Sequence, residues 1–189
     1  MDAKTFIHKT QELVPNEEIV RQKINDDFYC QLILNNYLSF KDYDNIIDTE
    51  DPIDFILDNC DYSNFRTNPI DRFIDTVEIS HFRIFGDTDL GYIGIDDNTK
   101  IIFKISYEPI AEYLYGDGAI PEFDDIMPIA KNIYCFFDAL VYWLELNKIV
   151  NESNANQKMS FRHNETADLF MEKAIEASGG SEYKFGSVF

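Results

Sequence analysis

The chain has 189 residues, with 35 Asp and Glu against 16 Lys and Arg and a formal charge of −19. That charge argues against binding a nucleic-acid backbone or an anionic membrane surface, both of which want Lys and Arg. The hydrophobic fraction of 45%, with 16 Phe and 11 Tyr, supplies a core, and so excludes disorder, which needs low hydrophobicity as well.

The length suits one domain, since domains usually run to ~100–200 residues. No apolar run approaches the ~20 residues that cross a bilayer, and MDAKTFIHKT lacks the layout of a signal peptide. Cytoplasmic residence is the expectation. Cys30, Cys60 and Cys135 are far apart with no CxxC pair, which reads as free thiols. His8, His81 and His163 form no zinc-ligand spacing. No metal and no cofactor is expected.

Asp2 to Val14 reads as a helix capped by Asp2, with Phe6, Ile7, Thr10 and Leu13 on one face. Pro15-Asn16-Glu17-Glu18 starts a second helix, Asn16 capping and two carboxylates favouring the positive end of the dipole. Ile19, Val20, Ile24, Phe28 and Leu32 carry that pattern through Asp26-Asp27 to about Leu38. Lys41 to Asp51 reads as a loop with a helical turn at Tyr43 to Ile47. Asp51-Pro52 restarts a helix to about Asn59, the proline in its favoured first position. Pro69 interrupts the next stretch, where a short helix is predicted over Pro69 to Thr76.

Strands follow at Ile79 to Phe85, Gly91 to Ile95 and Lys100 to Tyr107, joined by turns at Gly86-Asp87 and Asp96 to Thr99. In the third, Ile101, Phe103, Ile105 and Tyr107 alternate with Lys100, Ile102, Lys104 and Ser106, a period-2 pattern. Gly116, Gly118, Pro121 and Pro128 mark Ile110 to Pro128 as a long loop. Ile129 to Lys148 has Ile129, Ile133, Phe136, Phe137, Leu140 and Leu144 at helical spacing. Asn151 to Lys158 reads as a polar linker, and a last helix runs from Asn164 to Ala177, stopped by Gly179-Gly180. Tyr183, Phe185 and Phe189 form an aromatic tail. The predicted organisation is one α+β domain over 1–150, helical over about 1–76 with the sheet and closing helix over about 79–148. Residues 151–189 form an appendage.

Catalytic chemistry is scarce. Gly86, Gly91 and Gly94 match neither GxGxxG nor a P-loop, so they read as turn glycines. Asp87 and Asp89 could hold a hard metal at a strand end, but carboxylates are also ordinary turn residues. The long loop gathers Glu108, Glu112, Asp117, Glu122, Asp124 and Asp125 around Tyr113, Tyr115 and Phe123. Solvated charge is the simple reading. The sharper one is a recognition surface for a cationic partner, with Glu112, Tyr113, Tyr115, Asp117, Glu122, Phe123, Asp124 and Asp125 as candidate contacts.

HFRIFGDTDLGYIGIDDNTKIIFKISYEP, followed by IMPIAKNIYCFFDALVYWLEL, resembles the SUKH superfamily of cell-wall assembly regulators and bacterial toxin-immunity proteins. The resemblance is carried by Ile84 to Asp87, by the glycine-led run Gly91 to Asp96, by Lys100 to Tyr107 and by Ile129 to Phe137. It covers residues 80–147. It implies an α+β fold with a mostly antiparallel sheet, helices packed on one side, and no enzymatic activity. It also implies action by binding other proteins, in bacteria often a cognate toxin. With the acidic charge, the expected partner is a basic toxin domain, a nuclease being one such class. An acidic mimic of nucleic acid, a regulatory scaffold, and a metal-dependent enzyme using Asp87 and Asp89 are the alternatives. Neither partner identity nor oligomeric state follows from the sequence.

Overall fold

The computed structural model describes residues 1–116, 123, 126–153 and 165–185. Three short helices come first: α1 (Ala3–Glu12), α2 (Glu17–Lys23) and α3 (Asp27–Leu34). Each starts where a short polar side chain takes up an orphan amide. Asp2 accepts from Thr5 N at 2.7 Å, Asn16 from Ile19 N at 3.2 Å and Asp26 from Tyr29 N at 3.2 Å. The third cap is why the predicted continuous run breaks. Ile24 and Asp26 are extended, and the chain re-enters helix at Asp27.

β1 (Ser39–Phe40) pairs with β2 (Cys60–Asp61), and α4 (Pro52–Asn59) lies between them in sequence. The helical turn predicted at Tyr43 to Ile47 is absent. Buried Asn59 holds that loop instead, accepting from Ile47 N at 2.7 Å and donating to Ile47 O at 2.8 Å.

A five-stranded antiparallel sheet follows, in the order β3 (Arg72–Ile79), β4 (Phe82–Thr88), β5 (Gly91–Asp96), β6 (Ile102–Ser106) and β7 (Ile126–Ala130). β3 occupies the ground where a short helix is predicted. Phe73 and Ile79 are buried on opposite faces of it, on either side of a bulge, and a strand of this kind shows no clean alternation. Ile79 belongs to β3, not to the following strand, because the chain reverses at Ser80-His81 with Ser80 at φ 59°. Gly86 and Asp87 therefore lie inside β4, and the turn falls at Asp89-Leu90. At Gly91 a Cβ would sit 2.2 Å from the Ile105 carbonyl oxygen, so only glycine permits this approach of β5 to β6.

Two further predicted boundaries move. Tyr107 opens α5 (Tyr107–Tyr115) instead of closing a strand, so part of the predicted loop is helical. Ile129 and Ala130 end β7, and α6 (Ile133–Glu152) starts later, behind Asn132, which accepts from Cys135 N at 2.9 Å. The C-terminal α7 (Glu165–Ala177) ends where Gly179 and Gly180 take φ values of 120° and 114°. Its Ala174, and Phe185 beyond it, join the main core. Lys184 N donates to Pro128 O at 2.7 Å, capping the β7 edge, where a strand proline is tolerated.

The sheet carries a separate apolar cluster on each face. Phe73, Phe85, Ile93, Ile95 and Ile102 face the main core, with α1, α4, α6 and α7 against them. Phe6 and Phe137 stack there, ring centroids 4.4 Å apart and planes 4° from parallel. Phe82, Ile84, Tyr92 and Ile105 face the other way, toward Ile110 of α5. The architecture is α+β with an antiparallel sheet, as predicted. Most helices lie on one side, and α5 is the departure, covering part of the opposite face. Among the described residues, no helix is long and apolar enough to cross a membrane.

Candidate partner-binding surface

The second face of the sheet is covered in part by α5, which carries Glu112, Tyr113 and Tyr115 of the residues singled out in the sequence. Side chains paired across strands share a face. Arg72 pairs with Asp87, Asp87 with Tyr92, and Tyr92 with Ile105. Tyr92 and Ile105 belong to the second cluster, so Arg72 and Asp87 extend the same row toward the sheet edge. Arg72 Nε donates to Asp87 Oδ2 at 2.6 Å. Tyr92 stacks on Tyr107 at 5.7 Å with planes 14° apart. Burial first, then the neighbouring Tyr107, Tyr115 and Asp87, push the Tyr92 phenol up against the pull of Arg72.

Beside this row stand Asp71 and Asp89. Burial raises the Asp71 carboxyl above its ordinary value, and Asp89, through its charge and a shared hydrogen bond, raises it further. Asp87 adds to the rise and Arg66 opposes it. The arrangement is a crowded anionic corner that disfavours the charged form of Asp71. Among the described residues no three His, Cys, Asp or Glu side chains stand together as a metal set. Asp87, offered by the sequence as a metal ligand, is ion-paired with Arg72.

α5 lies over β5 and β6 and divides its side chains sharply. Ile110 is fully buried and Tyr113 half-buried against the second cluster. Glu108, Glu112 and Tyr115 recur at i, i+4 and i+7 on the outer side and are exposed. Tyr115 is 78% exposed, and Tyr107 and Leu90 add further open apolar surface. Phe123 is half-buried with its ring 4.5 Å from that of Phe82.

The eight candidate contacts therefore fall into three groups. Glu112 and Tyr115 are presented outward on one helix face. Tyr113 and Phe123 turn inward onto the sheet, packed against the second cluster. Asp117, Glu122, Asp124 and Asp125 lie outside the described residues.

Comparison with family models, with characterised proteins and with solved structures returns no match. Function therefore has to be argued from the surface itself. Sequence reasoning missed Tyr92, Tyr107, Leu90 and Asp71 as members of it. The signal for Tyr92 lay in its alternation with the buried Ile93 and Ile95, which puts it on the other face. Tyr107 and Asp71 carried no such signal, because each is brought in by an element whose type was misread.

His81, at the hairpin tip, has Ser80 Oγ 3.2 Å from its Nδ1. The β5–β6 turn is organised by Asp96. Burial would raise that carboxyl, but hydrogen bonds from Thr99 Oγ1 at 2.7 Å and Asn98 N at 2.8 Å hold it below its ordinary value. Both residues sit in turns, and the Ser80 hydroxyl beside His81 is its exposed chain neighbour in the turn.

Proposed function

We propose that this protein is a non-enzymatic binding module, an immunity protein that neutralises a basic toxin domain by covering it. The observation that carries this reading is the outer stripe of α5. There Glu108, Glu112 and Tyr115 stand exposed beside Tyr107 on a chain of charge −19. Exposed tyrosines among carboxylates supply rigid apolar contact area next to charges that match Lys and Arg. The resemblance of residues 80–147 to the SUKH superfamily supports the same class of action.

In this reading the inhibitor's field draws the cationic toxin in, and the tyrosines seat once water has left. Binding over substrate-facing Lys and Arg of a nuclease would block it without any chemistry by the inhibitor. The reading expects a toxin gene next to this one, and co-expression with its product is the test. Cells producing both should grow, and cells producing the toxin alone should not. Growth arrest despite full expression of this protein would sink the proposal.

A further inference from the structure

Where the end of α1, the end of α3 and the β1–β2 pair meet, the chain leaves a cavity of about 310 Å³. Buried Tyr37 and Leu38 lie deepest in its lining, and Val14 and Leu34 are half-buried. Asn35, Ser39, Asp61 and Asn64 stand exposed at its rim. Tyr37 is the anomaly. It is 7% exposed, yet among the described residues no protein group hydrogen-bonds to its hydroxyl. The nearby buried hydroxyl of Thr10, in contrast, is satisfied by Ile7 O at 2.8 Å and Leu38 O at 3.3 Å. Burial, and then the charge of Glu152, push the Tyr37 phenol up to about 12, so it keeps its proton and remains a donor. A phenol buried this deeply calls for a partner, and the cavity that Tyr37 lines is where it meets one.

We propose that this cavity binds one ring of a neutral, hydroxyl-rich ligand, a pyranose sugar, with the Tyr37 hydroxyl donating to it. The chemistry of the lining selects that class. The amides of Asn35 and Asn64 and the Ser39 hydroxyl also have no side-chain partner among the described residues. Each offers a donor beside an acceptor, and a sugar hydroxyl offers the same pair, so the two match in either sense. Gln11 Oε1 already accepts from the Tyr43 hydroxyl at 2.8 Å, which leaves its amide nitrogen to donate. Val14, Leu34 and Leu38 supply apolar area for the C–H face of a ring. Among the described lining residues Asp61 is the one charge. No Lys or Arg waits there for a phosphate or carboxylate, and a chain of charge −19 repels both. A cation would find one exposed carboxylate, whose Oδ1 already accepts from Ser63 N and Oγ, and no aromatic cage. The volume lies at the lower end of the range for small-molecule pockets, about 300–1,000 Å³, which suits a single ring. The cavity shares no residue with the α5 surface and stands whether or not α5 binds a toxin.

The test titrates the full chain, isotopically labelled in nitrogen, with glucose, galactose, mannose and N-acetylglucosamine, following the side-chain amides of Asn35 and Asn64 by NMR. At least one sugar should shift both amides and saturate with a Kd of about 1–10 mM. Tyr37→Phe should weaken that sugar about fivefold, the worth of one hydrogen bond. It should leave thermal stability unchanged, because the hydroxyl has no protein partner to lose. Asn64→Ala, at the exposed rim, should weaken binding by a similar factor and leaves the core untouched. Glu112→Lys with Tyr115→Ser should leave sugar binding as it is. The proposal is overturned if no sugar shifts these amides at about 100 mM, or if Tyr37→Phe binds as the native protein does. A lower Tm for Tyr37→Phe also overturns it, since the hydroxyl would then be structural. Tighter binding of glucosamine than of N-acetylglucosamine would name a cation site, and tighter binding of glucose phosphate than of glucose an anion site. Either overturns it as well. Failure of a toxin complex with sugar binding intact would count against the proposed function alone.

Discussion

Asp51 joins α4 to β4, and the cost of removing it follows from its hydrogen bonds. Its Oδ1 accepts from Ile53 N at 2.9 Å and Asp54 N at 3.1 Å, capping α4. Its Oδ2 accepts from Arg83 Nη2 of β4 at 2.6 Å, tying helix to sheet. Replacing Asp51 by Ala loses the cap, about 1 kcal/mol, and a hydrogen bond to a charged group, about 1.5–3 kcal/mol. The Arg83 side chain is 15% exposed, its Nε is buried without a partner, and its Nη1 keeps Asp54 at 3.5 Å. That remaining contact, and the one-third exposure of Asp51, place the ionic part at its lower end. The total is about 2–3 kcal/mol, or a fall in Tm of about 5–10 °C for a chain of this size. Asp51→Asn keeps an oxygen for the cap and loses only the charge, so it should cost about half as much. Arg83→Met should cost less in the Asp51→Ala background than in the native protein, since both remove one interaction. Urea unfolding of the native protein, the three single variants and the double variant checks this. A cost below about 0.5 kcal/mol for Asp51→Ala, or equal costs for Ala and Asn, would refute the reasoning.

Other consequences follow from the same contacts. Phe137→Ala should cost about 3–5 kcal/mol, because Phe6 loses a fully buried stacking partner. Urea melts measure it, and a cost under about 1 kcal/mol would mean the site collapses without a cavity. The carboxyls of Asp51 and Asp96 lie below their ordinary value when folded. The stability they contribute is complete above the unfolded value of about 3.9 and is lost as pH falls through the lower folded values. Asp71 has the opposite sign: its raised carboxyl is costly when ionised. Asp71→Asn should therefore stabilise at pH 7, with the gain shrinking as pH falls through the raised folded value and gone below the unfolded value of about 3.9. A gain independent of pH would contradict the crowding of Asp71 and Asp89. The Cys60 thiol is pushed up to about 12 by burial, so it should resist alkylation in the folded protein and react on unfolding.

Much of the helical part was legible because caps are local chemistry. Asp2, Asn16 and Asp51 each announce a helix within four residues of themselves. β5 and β6 were legible through alternating Ile and Phe. β3 was not, because its run of Asp, Arg, Thr and Glu serves an edge strand whose two faces meet two different clusters. α5 was hidden by Pro109 and Gly116, which read as loop residues. In the structure Pro109 lies in the first turn, where no intrahelical N–H is needed, and Gly116 is the C-cap. The candidate surface was half legible for the same reason. Glu112 and Tyr115 are where a contact needs them, but no local pattern says that Tyr113 and Phe123 turn inward onto a second apolar face. That face exists only once β3 to β6 have paired.

In the proposed function, the acidic, tyrosine-bearing surface on α5 binds a basic toxin domain. The decisive measurement is calorimetry with a catalytically inactivated toxin domain, which the proposed function expects the neighbouring gene to encode. The account predicts a one-to-one complex that weakens as salt rises and is weakened at least tenfold by Glu112→Lys with Tyr115→Ser, a loss of about 1.4 kcal/mol or more. No heat of binding at micromolar protein, or a complex indifferent to both substitutions and to salt, would contradict it.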